Sequence, residues 1–242
     1  MEYTLQQQQA IQEQDEALKQ LLQFYDEGHR EMVIAGVAGT GKTQLTLKVK
    51  DALTYKIHQE DMFYSVKAGG AATAHIAKNI LRERVRNLFP CYTIASLLNL
   101  TKHYSKTGEV SFKPSKLAWC TSPITSLDII IIDEASQISK SVRQMINDYR
   151  RHDSVVIYLG DWHQTTPVED GEQDSIVFTL PMVKLVTPFR YEGDIKVLAS
   201  AVANKIDEVP LTNDLSFLRE FILHSGKDYL FVKDENVFLS KY

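Results

Sequence analysis

Apolar residues recur along this chain with two periods, and the alternation between them sets out the elements. From Thr4 to Phe24, Leu5, Ile11, Leu18, Leu21 and Leu22 stand in a polar background, which predicts an amphipathic helix with Thr4 as its N-cap. Met32-Val33-Ile34-Ala35 then reads as a short buried strand, and the stretch from Gln44 to Lys50 as the start of a helix. Residues 62–66 predict the next strand, followed by small residues from Ala68 to Ala74 that open a helix reaching about Arg86. Between Thr93 and Pro123 the pattern weakens, but Gly108 before an alternating Val110 and Phe112 predicts a small β-hairpin. The β-branched run Ile129-Ile130-Ile131-Ile132 marks a central parallel strand covered on both faces. A helix from Lys140 to about Arg151 precedes a second buried strand over 154–159, and Val183 to Val186 gives a further short one. The remainder predicts a helix over 195–206, a helical stretch over 215–223 and a strand-like 229–232. Strands alternating with helices make this an α/β chain with a mostly parallel sheet flanked by helices.

A length of 242 residues suits one large α/β domain or one domain with an insertion. The net charge of -4 means that a nucleic-acid partner would be held by a local basic stripe rather than by overall charge. Cys91 and Cys120 lack CxxC or zinc spacing, so no disulfide framework or structural metal is expected and the default compartment is reducing and cytosol-like. The opening residues lack the basic and apolar regions of a signal peptide, and no apolar run approaches membrane-spanning length. A soluble, cytoplasmic protein with no membrane partner is expected.

The chemistry concentrates first in Gly36-Val37-Ala38-Gly39-Thr40-Gly41-Lys42-Thr43, a G-x-x-x-x-G-K-T stretch between the first strand and its helix. Glycines there let backbone N–H groups surround a β-phosphate, Lys42 reaches the β and γ oxygens, and the Thr43 hydroxyl ligates Mg²⁺. The helix that follows, with Gln44 in its first turn, adds the positive end of its dipole. ATP and Mg²⁺ are therefore the expected cofactors.

A second cluster follows the isoleucine run, where Asp133 and Glu134 fall at the C-terminal edge of the sheet. Asp133 can hold Mg²⁺ through a water, and Glu134 can orient and deprotonate the attacking water. Gln164, just past the next strand, could reach the γ-phosphate, and Arg190, past the last sheet strand, could offer it a planar guanidinium. Trp162 either stacks on a base or packs internally, and His163 reads as a surface or nucleic-acid contact. Lys78, Arg82, Arg84 and Arg86, and the hairpin lysines with Tyr104 and Phe112, are either solvated faces or a track for a single strand. The run Gln6-Gln7-Gln8-Gln9 is either a solvated helix face or holds a glutamine that reads an adenine edge.

This ordered set resembles the first RecA-like domain of superfamily 1 helicases, in the RecD/Dda branch, over roughly residues 4–206. The resemblance is carried by Gly36 to Thr43, Asp133-Glu134-Ala135-Ser136, and Gly160-Asp161-x-x-Gln164 with Pro167-Val168. It implies a P-loop NTPase fold of RecA-like type, with a hairpin insertion at about 99–117 and with 207–242 as a C-terminal extension or the start of a truncated second domain. That family's T-x-x-Q-x-x-A stretch, which reads adenine, matches Thr4, Gln7 and Ala10 and singles out Gln7. Its A-P-T-x-[KR]-A-A element, which grips single-stranded DNA, is similar to Ala71–Ala77 with Ala72 and His75 at the proline and basic positions, implying contacts by Thr73 and His75. Its T-I-H-S-L-L element matches Thr93-Ile94-Ala95-Ser96-Leu97-Leu98, implying contacts by Thr93 and Ser96, and Phe189-Arg190 corresponds to a pair facing the base and the γ-phosphate.

The activity so implied is Mg²⁺-dependent ATP hydrolysis coupled to binding and translocation along a single-stranded nucleic acid, with DNA the expectation. A second RecA-like domain has no visible counterpart after Ile206, so an N-terminal fragment or a shortened relative is expected. The alternatives are an AAA-type or loader ATPase, against which the Gly160-Asp161-x-x-Gln164 element counts, and a module that holds ATP as a switch with little turnover.

Overall fold

The computed structural model describes residues 4–37, 39–104, 110–161 and 176–188. The chain divides into two units, Met1–Arg190 and Tyr191–Tyr242, and the second lies outside the described residues together with the expected boundary near 206. A sheet of six parallel strands runs through the first unit in the order β3-β2-β6-β7-β1-β8. The strands are β1 (Glu31–Gly36), β2 (Ala68–Ala72), β3 (Cys91–Thr93), β6 (Ile129–Ile132), β7 (Val155–Gly160) and β8 (Met182–Leu185). A separate antiparallel pair, β4 (Leu100–Tyr104) and β5 (Val110–Pro114), forms the predicted hairpin, with Lys102 opposite Phe112. The helices are α1 (Leu5–Asp26), α2 (Lys42–Glu60), α3 (His75–Arg84), α4 (Ile94–Leu97), α5 (Ala118–Thr121) and α6 (Lys140–Tyr149).

Successive residues of a strand face opposite sides of the sheet, and both sides are covered. Met32 and Ile34 of β1, Ile129 and Ile131 of β6, and Val155 and Ile157 of β7 pack against Ala17 and Leu21 of α1, Leu45, Val49 and Leu53 of α2, and Leu81 of α3. Val33, Ala35, Ile130, Ile132, Val156 and Tyr158 face the other way, against Ile94, Leu97, Ile124 and Ile146. The four isoleucines of β6 are fully buried, each contributing about 1.5–3 kcal/mol of transfer free energy, so this inner strand anchors the core of the sheet.

One strand departs from the sequence expectation. Residues 62–66 lie outside any strand, with Met62 and Phe63 exposed, and the sheet takes up Ala68-Gly69-Gly70-Ala71-Ala72 instead. The reason is space rather than propensity. A Cβ on Gly69 would lie 2.6 Å from Leu127 Cδ1, and one on Gly70 would meet Leu81, Cys91 and Phe89 at 3.0–3.1 Å. Large neighbours fill both faces, and only small residues fit between them.

The two ends of β6 show one side-chain chemistry put to different uses. Asp128, buried just before the strand, accepts from Tyr64 Oη at 2.8 Å, Lys67 N at 2.7 Å and Arg151 Nη1 at 2.9 Å, so its burial is matched by partners. That acid ties the N-terminal edge of the sheet together. Asp133 emerges at the opposite edge.

Candidate active site

Because the strands are parallel, their C-terminal ends line one edge, where an open α/β sheet presents its ligand crevice. β1 ends there in the glycine-rich loop. Gly39 and Gly41 have φ of +86° and +85°, a backbone that turns through the left-handed region twice in three residues, as an anion-binding nest requires. Thr40 is buried, and its hydroxyl donates to Val37 O at 3.0 Å, closing the turn. Lys42 opens α2 and donates from Nζ to Val37 O at 3.1 Å and to Gly36 O, which holds the ammonium inside the loop. Burial pushes the Lys42 ammonium below the usual lysine range, while Asp161, Asp133 and Glu134 pull it back up. Thr43 and Gln44 follow in the first turn of α2, and Ala38 lies outside the described residues.

β7 lies between β1 and β6, so the loop and the acidic pair stand two strand spacings apart, about 10 Å. That gap suits a phosphate and its cation. Asp133 is buried, and desolvation raises its carboxyl above the usual range, against the hydrogen bond from Glu134 N–H and the charges of Arg84 and Lys42. Glu134 is raised by burial first and by the like charge of Asp133 second. It also adopts φ 56° and ψ 44°, a left-handed conformation that costs a non-glycine residue about 1–2 kcal/mol. This backbone directs Glu134 N–H to Asp133 Oδ1 at 3.0 Å. Outliers of this kind concentrate where function requires a side chain to be held against its preference.

The donor set at this edge fits a magnesium-bound phosphate: a nest, a desolvated ammonium, a hydroxyl in the first helical turn and a buried carboxylate. Among the described residues, no group of three or more His, Cys, Asp or Glu side chains is placed to hold a metal ion.

The other candidates fall into three groups. Thr73, which follows β2, donates to Gln137 Oε1 at 2.7 Å, in the turn that follows Glu134, and the exposed His75 opens α3. Thr93 ends β3 and caps α4 in a capping box with Ser96, so both hydroxyls have local partners: Ser96 N donates to Thr93 Oγ1 at 3.1 Å and Ser96 Oγ to Thr93 O at 3.0 Å. Ala72 pairs with Thr93, which sets these four residues on the β2-β3 half of the edge that carries the loop and the acids on its other half. Gln7 completes a capping box at the start of α1, where its Oε1 accepts from Thr4 N at 3.0 Å. Trp162, His163, Gln164, Phe189 and Arg190 lie outside the described residues.

A family model described as "AAA domain" matches residues 9–210. The chain belongs to the AAA domain family. The RecBCD enzyme subunit RecD of Buchnera aphidicola subsp. Schizaphis graminum is 23% identical over 224 residues, covering 85% of this chain and 34% of that protein. The crystal structure of Pif1 helicase from Candida albicans matches with a TM-score of 0.50 and 20% identity, over 78% of this chain and 43% of that one. A structure describing DNA unwinding at forked double-stranded DNA by two coordinating Pif1 helicases gives a TM-score of 0.47 and 17% identity, over 83% and 48% of the two chains. The six-stranded parallel sheet flanked by helices is a P-loop NTPase-like fold shared with the Candida albicans Pif1 structure, and this AAA domain spans about a third of the RecD subunit and under half of the Pif1 chains. No helix among its described residues is long and apolar enough to cross a membrane.

Three residues at the site of this AAA domain escaped the sequence reading of its chemistry. Arg84, read as part of a basic helix face, places Nη1 4.0 Å from Asp133 Oδ2. Glu13 and Gln14 of α1 hold backbone beside the loop. A signal for Gln14 was present in the sequence: Ala10, Gln14, Ala17 and Leu21 share the helix face that meets the core, and glutamine is out of place there.

Proposed function

We propose that this chain is the Mg²⁺-dependent ATP-hydrolysing domain of a helicase-type motor that engages single-stranded nucleic acid, with DNA the favoured strand. The observation that carries the reading is the convergence of Lys42, Asp133 and Glu134 at one sheet edge across β7, each with its pKa displaced by burial. In this reading the loop backbone and Lys42 would hold the β- and γ-phosphates, and Thr43 and Asp133 would hold Mg²⁺, which when bound would supply charge neutralisation for the transferred group. Glu134 orients the attacking water and takes its proton, and the burial that raises its carboxyl makes it a stronger base than a solvated glutamate. Gln164 and Arg190, which follow β7 and β8 in the chain, are assigned to the γ-phosphate, and Phe189 and Gln7 to the base.

Thr73, His75, Thr93 and Ser96 are assigned to the strand. Support comes from their origin at adjacent strand ends on the edge that carries the phosphate loop, and from the Thr73–Gln137 hydrogen bond that links this half to the turn after Glu134. A second RecA-like domain would complete the cleft in a full motor.

The test is the ATPase rate of the 242-residue chain with and without single-stranded DNA, with Glu134→Gln as the blank. Turnover that depends on Mg²⁺ and Glu134 and rises with DNA supports the whole reading. Turnover without a response to DNA confines the reading to an ATPase, and ATP binding without turnover makes the chain a nucleotide-binding module.

A further inference from the structure

A phosphate loop works only if its N–H groups face the ligand, and each peptide that turns its N–H inward turns its carbonyl outward. Those outward carbonyls are polar groups heading into packed protein, and they need donors behind the loop. Val37 O is not one of them, since it receives Thr40 Oγ1 and the Lys42 ammonium inside the loop. Gly41 O receives Leu45 N at 3.0 Å, the first bond of α2.

Behind the loop lies the side chain of Gln14, only 1% exposed, whose Nε2 donates to Thr40 O at 3.4 Å and Gly41 O at 3.5 Å. A buried amide there carries a desolvation cost that leucine or methionine would avoid. Its neighbour Glu13 makes a tighter arrangement, accepting from Val186 N at 2.7 Å and Thr187 N at 2.9 Å, one N–H on each carboxylate oxygen. These are the residues directly after β8. Gln6, in the first turn of α1, donates to Pro188 O in the same segment. The loop and the β8 exit also touch directly, since Gly36 pairs with Leu185.

We infer that Glu13 and Gln14 are positioning residues that lock the phosphate loop and the β8 exit into one block through α1. Gln14 sets the outward carbonyls of Thr40 and Gly41, and so the inward direction of the loop's N–H groups. Glu13 fixes the backbone that leads into Phe189 and Arg190. This deepens the nucleotide-site reading and rests on it for its functional consequence, although the lock itself is a property of the nucleotide-free protein.

The test compares wild type with Gln14→Met, which keeps the volume and removes the donors, and with Glu13→Gln, a milder change at a half-buried position that keeps the shape and one acceptor oxygen. Hydrogen exchange in the nucleotide-free protein is followed in peptides spanning 39–46, 182–188 and 129–132, together with the dissociation constant for a fluorescent ATP analogue. Gln14→Met is expected to speed exchange over 39–46 and to weaken nucleotide binding, each by about tenfold for one lost buried hydrogen-bonding group, with 129–132 unchanged. Glu13→Gln is expected to speed exchange over 182–188 more than over 39–46. Unchanged exchange over 39–46 in Gln14→Met, or equal acceleration over 129–132, overturns the lock and leaves Gln14 as a general packing residue. Absence of nucleotide binding by wild type would overturn the nucleotide-site reading, while the exchange comparison still decides the lock.

Discussion

Gly36→Ala probes the junction between the phosphate loop and the edge strand. An added Cβ would lie 2.7 Å from Leu185 O and 2.7 Å from Thr40 Oγ1, closer than Cβ atoms approach in folded proteins. Thr40 could rotate its hydroxyl away, at the loss of its bond to Val37 O. Leu185 O cannot yield so easily, because it belongs to the backbone of β8, which is registered on β1 from Val33–Met182 to Gly36–Leu185. The overlap must be relieved by moving β8 outward or by shifting the loop, and such overpacking costs about 1–3 kcal/mol. For a domain of this size that lowers Tm by roughly 2–4 °C per kcal/mol. The assay is thermal denaturation of wild type and Gly36→Ala with and without MgATP. A ligand at a hundred times its Kd stabilises by about 2.7 kcal/mol, so wild type should shift upward by several degrees. The variant should start lower and gain less from ATP. A variant with the wild-type Tm and the wild-type response to ATP would refute the seating of β8 against the loop.

Two further predictions concern charge and capping. Asp133→Asn should raise the Tm of the nucleotide-free protein while abolishing Mg²⁺-dependent turnover, because the carboxylate is buried for function rather than for stability. The sign follows from its folded pKa lying above the unfolded one: stability is greatest with the group protonated and is lost as pH rises through the folded value, so the gain should shrink as pH falls. A lower Tm in Asp133→Asn at neutral pH would contradict this. Gln7→Glu keeps an acceptor for Thr4 N and places an acid in the first turn of α1, so the cap and Tm should hold. If Gln7 reads adenine, the preference for ATP over GTP should narrow in that variant, and an unchanged preference assigns Gln7 to the cap alone.

What could be read from the sequence was chemistry carried by neighbours in the chain. The loop from Gly36 to Thr43 needs only its own residues and the strand and helix that flank it. The isoleucine run likewise announces a strand buried on both faces. β2 was illegible because Ala68 to Ala72 carry no strand preference, and the strand forms where Leu127, Leu81 and Phe89 leave room for nothing larger. The more apolar residues 62–66 drew the assignment instead, although Phe63 is 94% exposed. Thr93 and Ser96 show a similar limit, since spacing alone cannot tell a capping pair from a pair of ligand contacts. Glu13 gave no signal at all. Its role depends on Val186 and Thr187, which only the tertiary fold brings to α1.

The central claim is that the edge formed by the loop and the acidic pair binds and hydrolyses MgATP, and one comparison tests it most directly. ATP affinity and turnover are measured on wild type, Lys42→Ala and Glu134→Gln. The account predicts that wild type binds and hydrolyses ATP, that Lys42→Ala loses affinity by about tenfold to a hundredfold together with turnover, and that Glu134→Gln keeps affinity but loses turnover. Equal affinity in wild type and Lys42→Ala, or undiminished turnover in Glu134→Gln, would contradict it.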